Sequence, residues 1–252
     1  GYCSIETPAI EEIDALTAKG GETEKEIYTL TRLHAEEGDK EARLALHFDL
    51  TVPMARYVAQ HFGALSFPFK RYQMQKSWRG ERPQKGRYRE FYQCDIDVVN
   101  IDELPLHFDA ELPAVLFEAY EKLGIPPVEL RISNRKIIMG YLAGLGVNDA
   151  LDKLDKIGPE GVLKTLAAAG VPDNIAQKAL AFVNIKTTDS SFAEQVEALG
   201  VTSDLLAEGI KELKFVTDNL SHLPRGGVVA DLGIIRGLDY YTGTVLEARF
   251  RN

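Results

Sequence analysis

The strongest constraint on the fold is a pair of strand-like runs, Phe67–Trp78 and Arg89–Val99, joined by a polar connection containing Gly80, Pro83 and Gly86. Two such runs around a Gly/Pro-bearing link read as an antiparallel hairpin, and a hairpin alone is marginal, so other elements must pack on one face. Alternate strand residues share a face. Phe91, Gln93, Asp95 and Asp97 therefore point one way, and Tyr92, Cys94, Ile96 and Val98 the other. The second set reads as the core face. The first combines an aromatic plate, an amide and two carboxylates, which is either an ordinary solvent face or a ligand face. Arg79 closes the first run, so antiparallel pairing brings it near the Phe91–Gln93 end. A guanidinium there can hold a phosphate through two hydrogen bonds, and Phe91 can stack on a flat base.

The rest of the chain supplies the packing elements. Helical apolar spacing marks residues 9–18 and 50–61, with strand-like Ile27–Thr31 and Leu44–Phe48 between them and a charged loop, Ala35–Arg43. Asp102–Leu123 reads as an amphipathic helix, stopped by Pro126 and Pro127 before a strand, Val128–Ile132. From about 134 to 222 short helices follow one another, punctuated by Gly146, Gly158, Gly170, Pro172 and Gly200. Strand patterns return at Val228–Ile234 and Asp239–Phe250. Segregated strands with a helical insertion predict an α+β fold, a mostly antiparallel sheet flanked by helices. The expected organisation is a core of 1–133 with 223–252, and a helical insertion at 134–222.

Composition matters chiefly through charge. The net charge of −9 argues against a protein that coats nucleic acid indiscriminately. Yet residues 70–89 hold eight basic side chains against Glu81 alone, a local +7. Such a patch is either a solvated basic hairpin or a site for a phosphate-bearing ligand. Cys3 and Cys94 are too few for a disulfide framework or a zinc cluster, and the five histidines lack metal-like spacing. No apolar run approaches membrane-spanning length, so no membrane partner and a cytoplasmic location are expected. Asp95 and Asp97 can also be read as a carboxylate pair for a metal or acid–base work, although no third ligand is suggested.

The run Trp-Arg-Gly-Glu-Arg-Pro-Gln-Lys-Gly-Arg-Tyr-Arg-Glu-Phe-Tyr-Gln at 78–93 resembles motif 2 of class II aminoacyl-tRNA synthetases, in its histidyl-tRNA synthetase form. The resemblance implies that Arg79 grips the ATP α-phosphate and the amino-acid carboxylate. It also implies that Glu81 contacts adenine, Phe91 stacks on it, and Gln93 and Asp97 bind histidine. Arg87 is counted with the ATP-binding residues, and the loop Arg82–Arg87 is a candidate for contacting the tRNA acceptor end. The family often has glutamate where this chain has Asp97. A second run, Arg236-Gly-Leu-Asp-Tyr-Tyr-Thr-Gly-Thr-Val, resembles the family's histidine-specific signature. There Arg236 matches a catalytic arginine, and Tyr240 and Tyr241 match tyrosines lining the imidazole pocket. Alone, a Tyr-Tyr pair in a strand is more often a packed cross-strand pair. His47-Phe-Asp-Leu-Thr-Val-Pro resembles the segment that binds the substrate α-amino group through Asp49 and Thr51; Asp49 has a competing role as a helix cap. Ile5-Glu-Thr-Pro8 resembles the end of motif 1, whose proline lies at a dimer interface.

The reaction implied joins histidine to ATP, giving histidyl-adenylate, and then transfers the aminoacyl group to tRNA(His). The carboxylate nucleophile is already ionised, so the barrier lies in bringing two anions together and stabilising charge on the phosphoryl oxygens. Arg79, Arg236 and Mg²⁺ suit that need, and no metal site made by the protein alone is expected. A homodimer is expected. A glycine-rich third motif is not visible after Phe250, nor is an anticodon-binding domain, so the chain is expected to be an incomplete enzyme. The competing expectation is a histidine-binding, non-catalytic paralogue, the regulatory subunit of ATP phosphoribosyltransferase. Intact Arg236 and the basic loop Arg82–Arg89 weigh against it.

Overall fold

The computed structural model describes the 252 residues except 19–21, 35–42, 147–160, 162, 225, 235–240 and 252, and the side chains of 22 and 23. Most of the loop expected at Ala35–Arg43, the first residues of the strand expected from Asp239, and Arg236 and Tyr240 lie outside the described residues. The chain forms two compact units, Gly1–Leu104 and Pro105–Asn252.

The first unit carries β1 (Cys3–Ser4), β2 (Ile10–Glu12), α1 (Ile13–Thr17), β3 (Thr29–Leu30), β4 (Leu44–Leu46), α2 (Thr51–His61), β5 (Phe69–Trp78) and β6 (Glu90–Val99). The hairpin is β5–β6, ten residues on each side, from Phe69 opposite Val99 to Trp78 opposite Glu90. β1 adds to β5 in parallel, while β2, β4 and β3 make a small antiparallel sheet. Met54, Val58 and Phe69 form the local apolar core, with Ile5, Tyr57, Leu65 and Phe67 against it.

Several expectations need correction here. Ile10–Glu12 is strand rather than helix, because pairing with Leu44–Leu46 outweighs the helical spacing of three apolar residues. Only Thr29–Leu30 of the run Ile27–Thr31 is strand, following a 3₁₀ turn at Glu22–Glu26. More important, the two hairpin faces are reversed with respect to solvent. Met74 and Tyr92 are 60% and 69% exposed, and Cys94 is exposed, on the face read as core. Arg71, Gln73 and Ser77, whose cross-strand partners are Asp97, Asp95 and Phe91, are fully buried. The alternation is right. The inner face is nonetheless the polar one, because residues 5–8 and the turn 47–50 cover it with hydrogen-bonding partners.

In the second unit, α3 (His107–Lys122) begins five residues later than the expected helix, after Asp102 at φ +60° and Pro105. β7 (Val128–Asn134), α4 (Arg135–Leu145), α5 (Asp173–Val183), β8 (Lys186–Thr187), α6 (Phe192–Ala198), α7 (Asp204–Asn219), β9 (Val228–Asp231) and β10 (Thr244–Phe250) follow. Their sheet order is β10-β7-β9-β8, antiparallel except for β7–β9. The short β8 interrupts the helical stretch. The core gathers Ile132, Ile137, Tyr141, Phe182, Phe192, Leu213 and Val216, with the Tyr141 and Phe182 rings stacked at 4.3 Å. α4 and α7 cross at Gly140 and Gly209, where an added Cβ would come within 2.5 Å of Leu206 N and 2.6 Å of Ile137 N. Together the units make the α+β fold with mostly antiparallel sheets that the alternation and spacing predict.

Candidate active site

The mouth of the β5–β6 hairpin is built by local chemistry. The ladder continues one step past the strands, Arg79 N donating to Arg89 O at 3.0 Å. At the tip, Gln84 and Arg87 pair across a turn in which Gly86 takes φ +80°, a conformation costly for other residues. Behind the tip, Arg79, Glu81, Gly86, Arg87, Tyr88 and Phe91 line a cleft of about 310 Å³. The Arg79 guanidinium lies 5.1 Å from the Phe91 ring centre, and its Nε donates to the Phe48 carbonyl at 3.0 Å. Arg79 is thus held by a ring and a carbonyl while its terminal nitrogens remain available to an anion. Arg87 Nη1 pairs with Glu81 Oε2 at 3.1 Å, and Arg89 Nε donates to the Glu81 carbonyl at 3.4 Å. This end offers cations and the Phe91 ring, which suits a nucleotide phosphate and base.

The other end of the same face is acidic. Asp97 pairs with the buried Arg71, whose Nη2 lies 2.6 Å from Asp97 Oδ2, and the charges of Asp95 and Asp49 also act on Arg71. Burial raises the Asp97 carboxyl above the ordinary carboxylate value; Arg71 opposes this and Asp49 adds to it. Burial, then the neighbouring Asp97 charge, raises Asp95 likewise, with Arg71 and Arg79 pulling it back. The carboxylates repel one another here, so an added cation at this end relieves repulsion. Gln93 lies between the two ends, and its Oε1 is buried without a hydrogen-bond partner. A buried acceptor of that kind is unusual and suits a donor from a ligand.

Asp49 does cap the following helix, accepting from Val52 N at 3.1 Å through Oδ1. Thr51 is the first residue of α2, two positions on. In the second unit, Tyr241 is described and 46% exposed, while Arg236 and Tyr240 lie outside the described residues. Arg79, Glu81, Arg87 and Phe91 therefore gather at one end, with Gln93 along the face and Asp97 and Asp49 at the other end.

The structure adds residues that sequence reasoning leaves without a role. Arg71 counts there only toward the basic patch. Gln73 Nε2 donates to Thr7 Oγ1 at 2.9 Å and to Gln75 Oε1 at 2.7 Å, and Gln75 Nε2 donates to the Thr7 carbonyl at 2.7 Å. Those amides seat the N-terminal segment on the polar face. His47, fully buried, has its ring nitrogens 3.1 Å from the Pro8 carbonyl and 2.7 Å from that of Lys76. It joins the segment carrying Asp49 to both neighbours. Strand parity alone places Arg71 and Asp97 on one face once the register is known. Among the described residues, no three His, Cys, Asp or Glu side chains are grouped to hold a metal ion.

Comparison with known proteins gives the family. The family model described as histidyl-tRNA synthetase matches residues 1–250. A histidine–tRNA ligase from Thermobifida fusca is 54% identical over 260 residues, covering all of this chain and 59% of that protein. One from Cutibacterium acnes is 48% identical over 261 residues, covering 98% of this chain and 57% of that protein. The chain thus spans somewhat under three fifths of these relatives' length. The crystal structure of a histidyl-tRNA synthetase from Nostoc sp. PCC 7120 superposes with a TM-score of 0.84 at 36% identity, over 98% of this chain and 57% of that one. A Bacillus halodurans protein titled ATP phosphoribosyltransferase regulatory subunit/histidyl-tRNA synthetase shares the fold, with a TM-score of 0.82 at 18% identity over 98% of this chain and 63% of that one.

Proposed function

The chain belongs to the histidyl-tRNA synthetase family, and we propose that it supplies the amino-acid-activating part of a histidine–tRNA ligase. The observation that carries this reading is the division of one hairpin face into two ends. Phe91 and Asp97 are six strand residues apart, about 20 Å, and between them the face changes from Arg79 stacked on Phe91 to a carboxylate cluster. A molecule with an adenine and phosphate at one end and a cationic amino acid at the other fits that sequence of groups. Histidyl-adenylate is such a molecule.

In this reading Arg79 binds the α-phosphate and the histidine carboxylate, drawing two anions together. Its Phe48 and Phe91 contacts fix it before substrate arrives, so little reorganisation is needed in the transition state. Phe91 stacks on adenine, with Glu81 at the base edge and Arg87 beside it on the phosphates. Gln93 and Asp49, with Thr51, accept from the α-ammonium, and Asp97 takes the imidazole. Arg236 adds a second positive charge at the α-phosphate, and Tyr240 and Tyr241 line the imidazole pocket; these three roles rest on the motif resemblance alone. The nucleotide is the magnesium complex of ATP. The second substrate is tRNA(His), with Arg82–Arg87 a contact for its acceptor end, and the whole protein acts as a cytosolic homodimer. Family membership supports these last statements. For the organisation, we propose 1–133 with 223–252 as catalytic core and 134–222 as a helical insertion, supported by the run of helices between β7 and β9.

Calorimetric titration of the chain with L-histidine and with magnesium ATP tests the reading. Saturable binding of both is expected, with the histidine affinity sharply reduced by Asp97→Ala. Failure to bind either ligand refutes it, and an unchanged histidine affinity in the variant removes Asp97 from the pocket.

A further inference from the structure

Arg71 is the largest side chain among the described residues that is fully shut off from solvent. It sits on β5 directly across from Asp97 on β6. Its Nη2 makes the 2.6 Å ion pair with Asp97 and also donates to the Leu50 carbonyl at 3.3 Å; its Nη1 donates to Gln73 Oε1 at 3.1 Å. One guanidinium thereby ties together the strand bearing Asp97, the residue after Asp49, and the amide network that seats Thr7.

A purely structural ion pair explains such an arrangement only if the pairing is complete. Buried pairs roughly break even against well-packed apolar residues, and their geometry must be saturated to do so. This pair is not saturated. Arg71 Nε has no partner, and Asp97 Oδ2, although close, lies outside hydrogen-bonding geometry with it. The Asp97 side chain keeps 27% of its surface exposed while Arg71 keeps none. The cation is behind the carboxylate, and the open side of Asp97 is its other side.

We propose that Arg71 is a positioning residue of the histidine pocket, holding Asp97 and the Asp49–Leu50 turn from behind so that the open side of Asp97 meets the ligand's cationic groups. The role rests on the histidine-binding reading above. Arg71 also supplies the charge that favours ionised Asp97 against burial and against Asp49. Removing that charge raises the pH at which Asp97 ionises, so histidine binding should require a higher pH.

The test compares the parent chain with Arg71→Met, which keeps the stem and removes the charge, and Arg71→Lys, which keeps the charge and loses the fork. Histidine and ATP affinities are measured by calorimetry from mildly acidic to mildly alkaline pH. The ligand's own imidazole titration is common to all three proteins and cancels in the comparison. In Arg71→Met, histidine affinity should fall by about tenfold or more, its pH midpoint should move up, and ATP affinity should change little. In Arg71→Lys, histidine affinity should fall less, with the parent's midpoint. Parent-like histidine affinity and pH profile in Arg71→Met overturn the proposal, as does equal loss of histidine and ATP binding. If Arg71→Met does not fold, Arg71→Lys decides, and parent-like histidine affinity there overturns it. Absence of histidine binding by the parent is the separate outcome that refutes the pocket reading, and this role with it.

Discussion

Arg79→Lys keeps a positive charge at the hairpin mouth, so a view that needs only charge predicts little effect on nucleotide binding. The structure predicts a large one. Arg79 uses Nε for the Phe48 carbonyl and its planar face for Phe91, leaving two terminal nitrogens for phosphate. A lysine has one nitrogen for all of this. If it serves the phosphate, the Phe48 carbonyl loses a charged donor; if it serves the carbonyl, the phosphate loses its cation. Either choice forfeits a hydrogen bond to a charged group, about 1.5–3 kcal/mol, which corresponds to about 10- to 150-fold in ATP affinity. Arg79 is only partly buried, so global stability should change little, and the loss should appear as binding. The assay is calorimetric titration of magnesium ATP into parent and variant, with chemical denaturation as the control for folding. An Arg79→Lys variant that is equally stable and binds ATP as tightly as the parent refutes the reasoning.

Three further outcomes are expected. Gly140→Ala and Gly209→Ala should each destabilise the second unit by about 1–3 kcal/mol in denaturant titrations, because the backbone contacts at the α4–α7 crossing cost more than the gain of about 1 kcal/mol in helix propensity. Asp95→Asn should stabilise the ligand-free chain at neutral pH, read as a higher denaturation midpoint than the parent's. The Asp95 carboxyl is raised in the folded chain, so its stabilising contribution is present below the ordinary carboxylate range and lost as pH rises through its raised value; the parent–variant difference should vanish in acid. Tyr92→Ser and Met74→Ser, on the open hairpin face, should leave thermal stability of the chain nearly unchanged, and a large drop would show that this face is covered.

The hairpin was the most legible part of the fold, because ten-residue runs of alternating side chains and a glycine-bearing turn are local signals. Which face lies inside was not legible from polarity. Gln73 and Arg71 are buried, and Gln75 half-buried, against Thr7, Leu50 and Asp97, and those partners lie 21 to 68 residues away in sequence. Local periodicity carries no information about such partners. For the same reason helical spacing over 9–18 misplaces Ile10–Glu12, whose strand character comes from Leu44–Leu46. At the site, Arg79 beside Phe91 followed from antiparallel pairing alone. The Asp49 cap followed from its place before α2. Arg71 had no signal beyond its charge, because the meaning of a basic residue in a strand depends on what stands across from it.

On the function proposed above, the two ends of the β5–β6 face serve one reaction. Histidine-dependent ATP–pyrophosphate exchange by the whole protein that contains this chain tests it most directly. Exchange that requires L-histidine, is not supported by other amino acids, and falls by about 10²–10³ in Arg79→Met is the predicted result. Measurable histidine binding with no exchange would contradict it and favour a histidine-sensing protein that does not activate its ligand.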